Sequence, residues 1–152
     1  MKESKRIIKL LKDIYDGNPW IDVTLMGTLK KIPAGQAARK VFPQWNSIWE
    51  IVNHIIQWRL NVLQRIQGNV ITTPTDNYFS PVKDVSTEAW EYTLKQLEDS
   101  QVQWIQGLKK IRKKDLEKTY SANEMSYYDH IIGIMQHDAY HLGQIVMLAK
   151  AN

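Results

Sequence analysis

The chain has 152 residues, with 20 Lys+Arg against 16 Asp+Glu for a formal net charge of +4, 43% hydrophobic and 24% charged residues, and no cysteine. That length suits a single domain, residues 1–152, with a core large enough to need no disulfides, and the composition is that of a globular chain rather than a disordered one. Without cysteine there is no disulfide scaffold, no catalytic thiolate and no thiolate-ligated metal, so any thiol chemistry must use a thiol from outside the chain.

Ile7, Ile8, Leu11, Ile14 and Tyr15 recur at helical spacing before Gly17, Asn18 and Pro19, which predicts a first helix over residues 4–16. This opening stretch carries Glu3, Asp13 and Asp16 and has no continuous apolar core or cleavage site. It is therefore read as part of the domain of a cytoplasmic protein and not as a targeting segment. Val23, Leu25, Met26 and Leu29 suggest a short extra helix within residues 22–31, followed by a loop holding Pro33, Gly35 and Pro43. Ser47 with Glu50 has the form of a capping box, and the apolar stripe from Ile48 to Ile66 predicts a second long helix over 47–67, stopped by Gly68.

Residues 69–85 hold Pro74, Pro81, Asp76 and Asn77 and read as a long surface connection able to cover a site. Ser86 or Thr87 can cap a third helix carrying Trp90, Leu94, Leu97, Trp104, Ile105, Leu108 and Ile111, and a polar connection follows from Lys113 to Glu124. The basic run Lys109, Lys110, Arg112, Lys113 and Lys114 falls at that helix end, where it complements the macrodipole. It is a solvated face with no reading motif, so no nucleic-acid partner is expected. Ser126 and Asp129 repeat the capping logic for a last helix to about Lys150.

Four long helical patterns without an alternating strand predict an all-α four-helix bundle, the long 69–85 link leaving room for a crossover. No run approaches the roughly 18 apolar residues of a membrane span. The last helix is apolar on several sides, with Ile131, Ile134, Leu142 and Ile145 on one and Ile132, Gly143, Val146 and Met147 on others. Such a helix must lie at the centre of the bundle or against a second subunit, and a homodimer is expected. Gly143 is expected to permit close helix approach.

His137 and His141, four residues apart, project from one side of adjacent turns as a chelating pair. The segment HDAYH is not the HExxH of metalloproteases, because Asp138 stands where the glutamate general base would be. His137, His141, Gln144 and Leu148 share a shoulder of the core stripe facing a neighbouring helix, and His54 sits on the helix that also carries Ile51 and Trp58. If those two helices pack together, three neutral imidazoles converge, the set that catalytic zinc sites use while leaving a coordination position open. His130, about 10 Å of helical rise from His137, is too far to share an ion and reads as a cap-region or outer histidine. No helix pair carries the repeated Glu-x-x-His pattern of a diiron bundle.

The segments SIWEIVNHIIQW (Ser47 to Trp58) and GIMQHDAYHLGQIVML (Gly133 to Leu148) resemble the DinB-like superfamily, the DinB/YfiT-like metalloenzymes, and the resemblance covers nearly the whole chain. It implies an up-down-down-up four-helix bundle, often dimeric, holding a divalent metal, zinc or nickel, on three histidines, which by position are His54, His137 and His141. Members with assigned chemistry include bacillithiol S-transferases and mycothiol-dependent maleylpyruvate isomerases, while others are called hydrolases or DNA-damage-inducible proteins. The fold therefore carries over better than the reaction.

A metal on three histidines lowers the pKa of whatever it binds, so a thiol becomes a nucleophile or a metal-bound water hydrolyses. The leading expectation is a metal-dependent S-transferase joining a low-molecular-weight thiol of the bacillithiol type to an electrophile. The alternatives are a metal-dependent hydrolase and a non-catalytic metal-binding stress-response bundle. Glu50, Asp138 and Gln144 are the acid–base or ligand-supporting candidates. The two carboxylates also read as solvated helix side chains, and Gln144 as a helix-packing amide. Trp49 and Trp58 flank His54 at a spacing that reads as core but could line an apolar pocket.

Overall fold

Apolar spacing and end signals set the four long helices. The computed structural model describes residues 3–151, with α1 over Glu3–Asp16, α4 over Ile48–Arg65, α5 over Thr87–Lys110 and α7 over Tyr127–Ala151. Ser47 accepts from the Glu50 N–H at 3.1 Å while the Glu50 carboxylate accepts from the Ser47 N–H at 2.7 Å, so the expected capping box fixes the start of α4. Ser86 caps α5 through the Ala89 N–H at 3.2 Å, and Ser126 with Asp129 closes the same reciprocal arrangement at the head of α7. Among the described residues there is no strand, only a single bridge between Thr119 and Ser126.

Among the described residues there are also three short helices: α2 over Leu25–Leu29, α3 over Ala34–Ala38 and α6 over Lys113–Leu116. The first is shorter than the 22–31 expected, because Asp22 stands at φ 59° and Thr24 caps by accepting from the Gly27 N–H. Helix α3 forms where the sequence reads as loop. Pro33 starts it, Ala34 and Ala37 bury against α4 and α5, and Gln36 donates to the Ala149 carbonyl at 3.0 Å near the end of α7. In α6, within the expected polar connection, Leu116 is buried and Asp115 binds both the backbone and the guanidinium of Arg112.

The long helices follow one another around the bundle as α1, α5, α4 and α7, and the core divides into two clusters along its length. The N-terminal halves of α4 and α5 meet the C-terminal ends of α1 and α7 in the first cluster, with Ile51, Ile55, Leu97, Tyr15, Leu142 and Ile145. Their C-terminal halves meet the beginnings of α1 and α7 in the second, with Val62, Trp104, Ile7, Leu11, Ile131 and Ile134. Since α4 and α5 thus run side by side in the same direction, residues 69–85 must return along the bundle. The Ile71 N–H donates to the Tyr120 hydroxyl beside the second cluster, and Phe79 packs against the first.

Helix α7 packs on α4, α1, α2 and α6, which accounts for its apolar sides. Its outward strip leaves Tyr140 and Met147 exposed, and a Cβ on Gly143 would meet nothing within 4 Å, so the close approach expected there is absent. It occurs instead at Gly107, where an added Cβ would come within 2.8 Å of the Leu63 side chain. No helix among the described residues is long and apolar enough to cross a membrane.

Candidate metal centre

Helix α4 brings His54, and α7 brings His137 and His141, to one spot where the two helices pack together. One ring nitrogen from each lies within 4.8 Å of the other two, and no further His, Asp or Glu among the described residues joins that group. His54 and His141 are buried and His137 is half-buried. The i, i+4 spacing stacks the two α7 rings 4.4 Å apart and nearly perpendicular, with the His54 ring 4.7 Å from His141 and 4.9 Å from His137.

The orientation of two rings is set from behind. Nδ1 of His54 donates to the main-chain carbonyl of Asn77 at 2.6 Å, and Nδ1 of His141 donates to the Gln144 side-chain oxygen at 2.7 Å. A carbonyl oxygen can only accept, so each proton sits on Nδ1 and each Nε2 lone pair faces the other rings. Burial pushes the His54 pKa down to about 4 and also lowers that of His141, keeping both rings neutral and able to ligate. Nε2 of His54 and Nε2 of His137 stand 2.9 Å apart. Tetrahedral zinc at about 2.0–2.1 Å would set ligand nitrogens about 3.3 Å apart, so the His54–His137 pair needs a shift of only a few tenths of an ångström, and His141 lies within reach of the same ion.

His137 is supported differently. Its Nδ1 is buried without a hydrogen-bond partner, 3.8 Å from an Asp138 carboxylate oxygen that also has none. The other Asp138 oxygen accepts from Arg59 Nε at 3.0 Å and Nη2 at 2.7 Å, in an ion pair whose side chains are 1% and 0% exposed. Arg59 also donates to Gln101 at 2.9 Å and lies over the Tyr15 ring. Burial alone would raise the Asp138 pKa, but the Arg59 charge and hydrogen bonds outweigh it and hold the group ionised. Asp138 is therefore not the solvated carboxylate that its residue type suggests. Glu50 is not one either, since its carboxylate is buried between the Ser47 N–H and Lys40, at 3.2 Å, and does not line the cavity.

Above the rings lies a cavity of about 730 Å³ whose walls include Trp58, Phe79, Tyr140, Gln144 and Met147. Of the two tryptophans flanking His54, Trp58 reaches this cavity, whereas Trp49 is buried against Trp90 and donates to Thr93. His130 is also buried, but in the second cluster's region beside Tyr120, with Asn123 at 3.3 Å, and takes no part in the centre.

The sequence model of the DinB superfamily matches residues 23–145, a span that contains all three converging histidines and the crossover. The chain belongs to the DinB superfamily. Neither a curated protein nor a solved structure matches it.

Phe79 and Arg59 in this DinB-superfamily site went unremarked in the sequence, and Asn77 was read only as part of a turn-rich connection. Phe79 stacks on His54 at 3.9 Å with rings 9° from parallel, and Asn77 accepts from Trp58 Nε1 at 3.0 Å through its side chain as well as from His54 through its backbone. Nothing in the pattern of residues 69–85 pointed to either. Arg59 and Asp138 did carry a signal. At about 100° per residue, Arg59 falls within the apolar stripe of α4 and Asp138 in the middle of that of α7, and opposite charges in two facing stripes read as a buried pair.

Proposed function

We propose that this DinB-superfamily chain is a metal-dependent enzyme that transfers a low-molecular-weight thiol, of the bacillithiol type, onto an electrophile. The observation that carries this reading is the convergence of His54, His137 and His141 on the floor of a cavity open to small molecules, with no fourth ligating side chain among the described residues. A divalent ion, zinc or nickel, held there would lower the pKa of a thiol brought to it and so supply the nucleophile near neutral pH. The chain contains no cysteine, so the thiol comes from outside.

The chain's own residues position the reaction. Asn77 and Gln144 hold His54 and His141 with Nε2 inward, and Asp138, clamped by Arg59, offers its free oxygen toward Nδ1 of His137. Gln44 and Asn46 line the same cavity and can hydrogen-bond the polar body of the thiol. We further propose a homodimer, which sedimentation velocity tests directly.

The reading is tested by metal analysis of the purified protein beside His54→Ala, His137→Ala and His141→Ala, followed by calorimetric titration of the metal-loaded protein with small thiols in buffers of different ionisation enthalpy. One metal per chain, lost in each variant, with thiol binding that releases a proton, supports the transferase. Metal retention in the variants overturns the three-histidine centre. Metal without thiol binding overturns the thiol step and leaves hydrolysis or a non-catalytic role.

A further inference from the structure

The cavity is built unevenly. Its floor is the three imidazoles, and its walls carry large apolar and aromatic side chains from four separate parts of the chain: Trp45 before α4, Trp58 on α4, Phe79 on the crossover, and Tyr140 and Met147 on α7. No Lys, Arg, Asp or Glu lines it among the described residues. In a chain that is 24% charged, Arg59 and Asp138 are spent on each other behind His137, and Arg65, whose guanidinium lies 5.4 Å over the Trp58 ring, does not line the cavity, so a cavity of this size with uncharged walls selects its occupant.

A formal charge held against the apolar and aromatic side chains, away from the metal, would lose hydration and find no counter-charge. Aromatic faces can hold a cation, but here it would stand above a centre that is itself positive when a metal is bound. A neutral ring has neither penalty. Trp45, Tyr140 and Met147 are 48%, 64% and 70% exposed, so they stand ready to cover apolar surface that a ligand brings. The volume of about 730 Å³ lies within the range of about 300–1,000 Å³ that takes organic molecules of drug size.

We propose that the walls above the three histidines form a binding site for an uncharged, largely aromatic small molecule. That this molecule is the electrophile rests on the transferase reading above. Its binding does not.

The test is calorimetric titration of the metal-loaded protein with three probes sharing one ring system: neutral 2-naphthalenemethanol, cationic 2-naphthylmethylamine and the dianion 2,6-naphthalenedisulfonate, whose second charged end has no cation to meet. The alcohol should bind at least about tenfold more tightly than either charged probe. Trp45→Ala and Met147→Ala, at exposed wall positions, should each weaken the alcohol several-fold with unchanged thermal melting. Either charged probe binding as tightly as the alcohol overturns the proposal. So does binding of none of the three, which is the result if a second copy of the chain covers the mouth. Alcohol binding in a protein that takes up no thiol supports the site while removing the transferase reading, so the two fail separately.

Discussion

The main-chain carbonyl of Asn77 lies 2.6 Å from Nδ1 of His54, so one of the three converging rings is oriented by the crossover and not by its own helix. The turn that delivers this carbonyl holds two consecutive non-glycine residues in the left-handed region, Asn77 at φ 53° and Tyr78 at φ 64°. Asn tolerates that region, and Tyr does so at a cost that the surroundings must offset. The Asn77 side chain accepts from Trp58, and the Tyr78 hydroxyl accepts from Asn61 at 2.7 Å, tying both residues to α4. Asn77→Ala is expected to weaken metal binding by about tenfold, as for other partners that orient ligand imidazoles. Asn77→Gly, which keeps the turn and loses only the Trp58 bond, should lose less. Competition against a chelator of known affinity measures both, and equal loss in the two would show that the turn conformation is immaterial.

Removing one member of the Arg59–Asp138 pair leaves the other buried and uncompensated. Arg59→Met and Asp138→Leu should each cost about 3–5 kcal/mol, while the double substitution should cost clearly less than their sum. Urea unfolding of the four proteins measures the cycle, and simple additivity would contradict the pair.

Acid should destabilise the metal-free protein. An unfolded histidine takes up its proton near pH 6.5, whereas burial delays protonation of folded His54 to about 4 and also lowers the pKa values of His141 and His130. Between about pH 6.5 and 4 the unfolded chain therefore binds more protons than the folded one, and stability falls as pH falls through that window. Below about 4 the His54 contribution is fully lost. Urea midpoints of chelator-treated protein from pH 7.5 to 4 test the sign, and a flat profile above pH 5 would refute it.

Gly143 should be replaceable with gain. A Cβ there meets nothing within 4 Å, and the residue is helical, so Gly143→Ala is expected to stabilise the fold by about 0.5–1 kcal/mol. Gly107→Ala, pressed toward Leu63, should not share the gain. Thermal melts of the two variants distinguish these sites.

The four long helices and the histidine triplet were legible because both are carried by periodicity. A capping box, an apolar stripe and an i, i+4 pair are local features, and His54 needed only the packing of α4 on α7 to join them. The Asn77 contribution was illegible, since a backbone carbonyl is supplied by any residue and only the path of the crossover puts it behind His54. Helix α3 was hidden for a similar reason. Its Pro-Ala-Gly run reads as loop, and burial of Ala34 and Ala37 overrides that local reading. Glu50 was legible as a cap but not as buried, because Lys40, which neutralises it, lies ten residues away beyond the helix start.

The Arg59–Asp138 pair sits between the two apolar clusters, and its position limits how α4 and α7 can slide past one another. Two helices joined only by Ile, Leu and Val can shift by a turn, about 5.4 Å, and still find apolar partners. Here the same slip would carry Arg59 and Asp138 into separate hydrocarbon surroundings at a cost of several kcal/mol. It would also draw His54 one turn away from His137 and His141. The charged pair thus acts as a vernier for the bundle, fixing the alignment on which convergence of the three imidazoles depends.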